Sequence, residues 1–124
     1  LTATIEHSIK EIENNKFKKY FIHFKETDIA GKDGRAKEKK KMIELIDQKF
    51  FKFLRKIEDD IELVVTGDHA TPCEIKGRGS DAVPLIHCGP EKRDEIIRFT
   101  EHECFQGSYG KMKGIDIMKK VNYL

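Results

Sequence analysis

One long amphipathic helix constrains the fold of this chain more than any other feature. Residues 36–57 carry apolar side chains on one face at helical spacing, and lysines fill the opposite face. Residues 20–24 before this helix and 61–66 after it are rich in the aromatic and β-branched residues typical of buried strands. Strand, helix and strand in this order predict a βαβ unit. We therefore expect an α/β fold with a mainly parallel sheet.

Shorter patterns complete the predicted secondary structure. Further helices are predicted over residues 2–14, 91–98 and 114–121, a third strand over 83–86, and polar loops over 27–34 and 67–81.

Length and charge exclude several classes of protein. The chain has 124 residues, enough for one hydrophobic core, and 24 Lys+Arg against 22 Asp+Glu give a net charge of +2. So small a basic excess argues against nucleic acid as a partner. No apolar run approaches the roughly 20 residues that cross a bilayer, so no membrane partner is expected. Three widely spaced cysteines suit a reducing compartment, and we expect a cytoplasmic location.

The two polar loops contain the candidate ligands. Each loop directly follows a predicted strand, and in parallel sheets such loops meet at the carboxyl edge where ligands bind. Asp28 in the first loop, with Asp68 and His69 in the second, would offer carboxylate oxygens and one imidazole. That donor set suits manganese, zinc or magnesium. The alternative interpretation is that Asp and Gly are simply common loop residues.

Four motifs in order resemble one enzyme family. They are TDIAGKDG at 27–34, TGDHATPC at 66–73, DAVPLI at 81–86, and GSYG at 107–110 followed by GIDIM at 114–118. Their order and spacing resemble those of the archaeal-type, cofactor-independent phosphoglycerate mutases, and the resemblance runs from about residue 20 to the end.

The resemblance implies a fold and a reaction. The family belongs to the alkaline-phosphatase-like superfamily, whose fold is a three-layer α/β/α sandwich with a second, inserted domain. Its members interconvert 3-phosphoglycerate and 2-phosphoglycerate in glycolysis through a phosphoserine, with two divalent ions, often manganese. By this resemblance Asp28 matches a ligand of the first metal, and Asp68 and His69 match ligands of the second.

Two residues depart from the family pattern. Lys32 stands where the family has a histidine, and Arg78 stands near the position of another ligand histidine. Charged ammonium and guanidinium groups cannot be metal ligands, so the first metal site is expected to be degraded. Either Lys32 and Arg78 supply the positive charge themselves as an ion-free phosphate clamp, or activity is lost.

The family's nucleophilic serine and a further aspartate ligand lie in a segment with no match here. Residues 1–124, which start at a leucine, are interpreted as the C-terminal part of a metal-dependent catalytic domain, with the N-terminal part and the inserted domain absent. The expected function is that of a phosphoglycerate mutase fragment which binds phosphoglycerate only in the full-length protein and is inactive alone. The alternatives are a non-catalytic relative that binds phosphate ligands, or another phosphoryl transferase or phosphatase. Exposed apolar surface would favour self-association or contact with the missing N-terminal part.

Overall fold

Six α-helices and one small sheet make up most of the regular structure in the described part of the chain, residues 1–123 of this computed structural model. The elements in chain order are α1 (Thr2–Asn14), α2 (Glu26–Lys32), α3 (Ala36–Ile46), a π-helical turn (Asp47–Phe51), α4 (Lys52–Arg55), a 3-10 turn (Glu58–Asp60), β1 (Leu63–Thr66), β2 (Leu85–Cys88), α5 (Glu101–Cys104) and α6 (Gly114–Lys120). They form two compact units. The first unit combines Leu1–Asp59 with Thr71–Arg78, and the second combines Asp60–Ala70 with the chain from Gly79 onward.

The long amphipathic helix organises the first unit. Helix α3, the π-helical turn and α4 follow one another without interruption, which confirms the predicted helix from residue 36 and ends it at Arg55 rather than 57. Its apolar face buries Ile46, Phe50 and Leu54, and the Phe50 ring meets Phe24 edge to face at 5.3 Å between ring centroids. Helix α1, also predicted, contributes Ile5, whose side chain has no exposed surface.

Helix α2 lies where the sequence predicts a loop. Gly31 and two aspartates suggest a loop by composition, yet residues 26–32 are helical. Two forces favour the helix. Acidic Asp28 in the first turn and basic Lys32 in the last complement the helix dipole, and Ala30 and Gly31 are buried. A glycine in the αL conformation, Gly34 at φ +69°, then follows the end of the helix.

The sheet of the second unit is antiparallel, which corrects the expected parallel pairing for this part of the chain. Strands β1 and β2 pair in the register Leu63 with Cys88 to Thr66 with Leu85. Both strands were predicted, with boundaries shifted by about two residues. An apolar run indicates burial, but it does not identify the partner strand or its direction.

Two predicted elements do not form. Residues 20–24 have no regular secondary structure, so the expected βαβ unit is not completed among residues 1–123. Residues 91–98 are irregular, and the short helix of this region is α5. It begins after Thr100, whose hydroxyl accepts a hydrogen bond from the backbone N–H of Glu103. The helix of this region therefore begins at the N-cap Thr100, and the apolar spacing over residues 91–98 does not produce a helix.

Helix α6 confirms the last predicted helix, over residues 114–120. None of the helices within residues 1–123 is long and apolar enough to cross a membrane.

Candidate functional site

Asp28 is held at both carboxylate oxygens within the first unit. Its Oδ1 accepts a 2.6 Å hydrogen bond from the Thr71 hydroxyl, and its Oδ2 lies 2.7 Å from the Lys32 ammonium. The Asp28 side chain is 18% exposed and that of Lys32 is 53% exposed. We call these three residues the Asp28 cluster. Lys32 therefore neutralises the carboxylate that was expected to bind the first metal.

Close packing fixes Thr71 against α2. Thr71 is buried, and its carbonyl oxygen accepts a 2.9 Å hydrogen bond from the Lys39 ammonium. A Cβ atom at Gly31 would lie only 2.5 Å from that same carbonyl oxygen, which is closer than real Cβ contacts come. Gly31 of the first motif and Thr71 of the second are therefore packed so closely that a side chain at position 31 would clash with the Thr71 backbone.

Arg78 takes no part in the Asp28 cluster. It is exposed, and among residues 1–123 its side chain makes no hydrogen bond or ion pair. Of the two residues expected to carry positive charge for a phosphate, the structure brings only Lys32 to Asp28.

Asp68 and His69 lie together in the second unit, separated from the end of β1 only by Gly67. The Asp68 Oδ1 accepts the backbone N–H of His69 at 3.0 Å, and its Oδ2 lies 3.6 Å from the His69 Nε2. The His69 Nδ1 lies 3.2 Å from the Ala70 carbonyl oxygen. A carbonyl oxygen only accepts, so His69 Nδ1 is the donor in this contact.

This geometry fits two ligands of one divalent ion. Two ligands about 2.1 Å from a tetrahedral ion are separated by roughly 3.4 Å, close to the observed separation of Nε2 and Oδ2. The carbonyl behind Nδ1 is the kind of partner that fixes the tautomer of ligating histidines. The Asp68 side chain is 68% exposed and the His69 side chain 15% exposed, so the carboxylate is open to solvent and the imidazole is mostly covered.

A complete metal site needs more ligands than this pair. Within residues 1–123, no group of three or more His, Cys, Asp or Glu side chains is arranged to hold a metal ion. The Asp28 cluster and the Asp68–His69 pair belong to different units.

A second polar cluster was missed in the sequence. His87 on β2, only 5% exposed at its side chain, lies 2.5 Å from Glu62 through Nε2 and 2.5 Å from the Tyr109 hydroxyl through Nδ1. Tyr109 also donates a 3.0 Å hydrogen bond to Glu91, and the ammonium of Lys120 lies over its ring. Burial, the hydrogen bond to Glu91 and the negative charges of Glu91 and Glu62 raise the pKa of Tyr109.

Both ring nitrogens of His87 have a polar partner in this cluster. Its partners come from positions 22 and 25 residues away, and no local spacing identifies them.

Comparison with curated proteins finds many phosphoglycerate mutases. The chain is 43% identical over 100 residues to the 2,3-bisphosphoglycerate-independent phosphoglycerate mutase of Thermococcus kodakarensis, a match covering 79% of the chain and 24% of the relative. It is 37% identical over 118 residues to a probable enzyme of the same name from Thermosipho africanus, covering 93% of the chain and 29% of the relative. The chain thus spans about a quarter of the length of these relatives.

A solved structure and a family model match almost the whole chain. The structure of a Pyrococcus horikoshii protein superposes with a TM-score of 0.83 at 33% identity, covering 98% of this chain and 38% of that one. The model of the metalloenzyme superfamily matches residues 1–121. This match, which covers nearly the whole chain, establishes that the chain belongs to the metalloenzyme superfamily.

Proposed function

We propose that this chain is part of a phosphoglycerate mutase that interconverts 3-phosphoglycerate and 2-phosphoglycerate with the help of a divalent cation. The observation that carries the proposal is the Asp68–His69 pair, in which the His69 Nε2 lies 3.6 Å from the Asp68 Oδ2. The names of the relatives from Thermococcus kodakarensis and Thermosipho africanus supply the reaction. The four motifs resemble those of the same family.

Asp68 and His69 would hold the cation, and manganese is the ion we propose. A divalent cation compensates the negative charge that builds up on phosphoryl oxygens during transfer. Within this chain, the Ala70 carbonyl oxygen lies 3.2 Å from the His69 Nδ1, and the backbone N–H of His69 donates to the Asp68 carboxylate. The pair is therefore oriented before any ligand arrives. The nucleophilic serine and the remaining ligands are proposed to come from other parts of the complete protein, so residues 1–124 by themselves would be inactive.

The fold proposed for the complete domain is the three-layer α/β/α sandwich of the alkaline-phosphatase-like superfamily, with a mainly parallel sheet. The match of the metalloenzyme superfamily model to residues 1–121 supports it. Residues 20–24 would then gain a strand partner from the rest of the domain. Phe21, which is 74% exposed here, would be covered by that partner or by a second copy of the chain. A reducing, cytoplasmic location is proposed with it, since all three cysteines are free thiols.

The ion pair between Asp28 and Lys32 favours a second candidate function. A carboxylate already neutralised by an ammonium suits a relative that binds a phosphate ligand without catalysis.

The experiment that tests these proposals uses the complete protein with His69→Ala and, as control, His102→Ala. His102 is an exposed residue of α5 and has no part in the site. Conversion of 3-phosphoglycerate is followed by phosphorus NMR with manganese, zinc or magnesium added. We expect conversion by the parent and by His102→Ala. His69→Ala should lose more than the ~10–100-fold that even the outer partners of metal ligands contribute.

Equal conversion by His69→Ala and the parent would refute the assigned role of His69. No conversion by the parent, with phosphoglycerate raising its thermal midpoint, would refute the mutase and support the binding relative.

A further inference from the structure

We infer that Lys32 supplies a built-in positive charge at Asp28, so that the Asp28 carboxylate serves an ammonium ion and not a divalent metal. The inference rests on the proposed function, because it concerns how many cations the phosphate site of that enzyme binds. It starts from the 2.7 Å ion pair between the Lys32 Nζ and the Asp28 Oδ2.

Both oxygens of the Asp28 carboxylate already have a partner. Oδ2 faces the ammonium, and Oδ1 accepts the 2.6 Å hydrogen bond from the Thr71 hydroxyl. A divalent ion at Asp28 would have to displace Lys32 or lie close beside a second positive charge that is covalently attached one helical turn away. The residues present therefore do not fit a divalent cation at this position.

An ordinary surface ion pair is the competing explanation. Pairs at spacing i,i+4 are common on exposed helices and contribute little to stability. Here the carboxylate is four-fifths buried and its second oxygen is held by Thr71, a residue with 5% exposure. Thr71 is itself fixed by Lys39 and by the close approach of Gly31. Such a framework fixes the carboxylate, and the carboxylate in turn positions the ammonium.

The ammonium remains available to a ligand. Lys32 is 53% exposed, and an ammonium has three N–H donors, of which Asp28 uses one. The remaining donors can contact oxygen atoms of a phosphate. The Lys32 ammonium is thus held by its ion pair with Asp28 and is still exposed enough to contact an anion.

Manganese binding by the complete protein tests the inference without measuring activity. Asp28→Asn keeps the size of the side chain and an oxygen for the Thr71 hydroxyl, but it removes the negative charge. If Lys32 replaces the metal, calorimetric titration should give the same manganese stoichiometry and an affinity within about threefold for Asp28→Asn and the parent. A loss of one bound manganese, or a tenfold or greater loss of affinity, would overturn the inference.

The same titration on His69→Ala separates the two proposals. If His69→Ala leaves manganese binding unchanged, the proposed function fails at its metal site. The Asp28→Asn result bears on the ion pair alone.

Inorganic phosphate is the probe for the role of the ammonium. Lys32→Met keeps the length of the side chain and removes its charge. Lys37→Met is the control, because it removes an exposed charge from α3, the next helix along the chain. We expect phosphate affinity to fall at least fivefold in Lys32→Met and to stay unchanged in Lys37→Met. Equal affinities in the two variants would overturn the proposed contact between Lys32 and phosphate.

Discussion

The close approach between Gly31 and Thr71 makes a sharp prediction about stability. Gly31 lies in the last turn of α2, where alanine is normally the better residue by up to roughly 0.8–1 kcal/mol because glycine loses more backbone freedom on folding. Helix propensity alone therefore predicts that Gly31→Ala stabilises the protein. The structure predicts the opposite sign.

The new methyl group has no space in the folded protein. It would lie 2.5 Å from the Thr71 carbonyl oxygen and 3.0 Å from its Cγ2. The first of these is a backbone atom that cannot rotate away, and its segment is held by Lys39 at 2.9 Å. Overpacking of this kind costs about 1–3 kcal/mol. Subtracting the gain in helix propensity leaves a net destabilisation centred on about 1 kcal/mol and reaching roughly 2 kcal/mol at most.

Urea unfolding measures this difference directly. The protein has no Trp, so far-UV circular dichroism is the suitable signal. Gly114→Ala is the matched control, because Gly114 begins α6 and nothing lies within 4 Å of the position of its added Cβ. We expect the control to be as stable as the parent or more stable by up to about 1 kcal/mol. Gly31→Ala unfolding at or above the parent's midpoint, with the control behaving as expected, would refute the packing of Thr71 on α2.

The second unit gives two further predictions. The backbone N–H groups of Ser108 and Ile96 donate to Asp94 and lower its pKa, so Asp94 stabilises the fold above its unfolded pKa and loses that effect as pH falls through its folded pKa. NMR titration of the carboxyl groups should place the pKa of Asp94 below its usual value of 3.8. The Asp94→Asn variant should lose less stability than the parent as the pH falls. Tyr109→Phe leaves His87 Nδ1 without its partner and should cost about 1–3 kcal/mol in urea unfolding; an unchanged midpoint would contradict the contact.

The first motif illustrates how far sequence reasoning reached at the site. The sequence identified Asp28 as a candidate metal ligand and Lys32 as a cation at a position where the family has a histidine. The glycine and aspartate content of the motif, however, suggested a loop. In the structure the two residues lie at spacing i,i+4 on α2, and only that spacing on a helix brings their charges to 2.7 Å. The helix depends on burial of Ala30 and Gly31, which no local pattern reveals.

The sequence by itself determined the long helix from Ala36 and the short β1, since hydrophobic periodicity over many residues is a local property. It also identified the superfamily through motifs whose order and spacing are visible in one dimension. The tertiary structure alone decided that β1 and β2 pair antiparallel and that Thr71 meets Asp28, 43 positions earlier in the chain. Both are contacts between distant segments. Their geometry depends on the packing of the whole unit, and the residues on either side of each contact do not encode it.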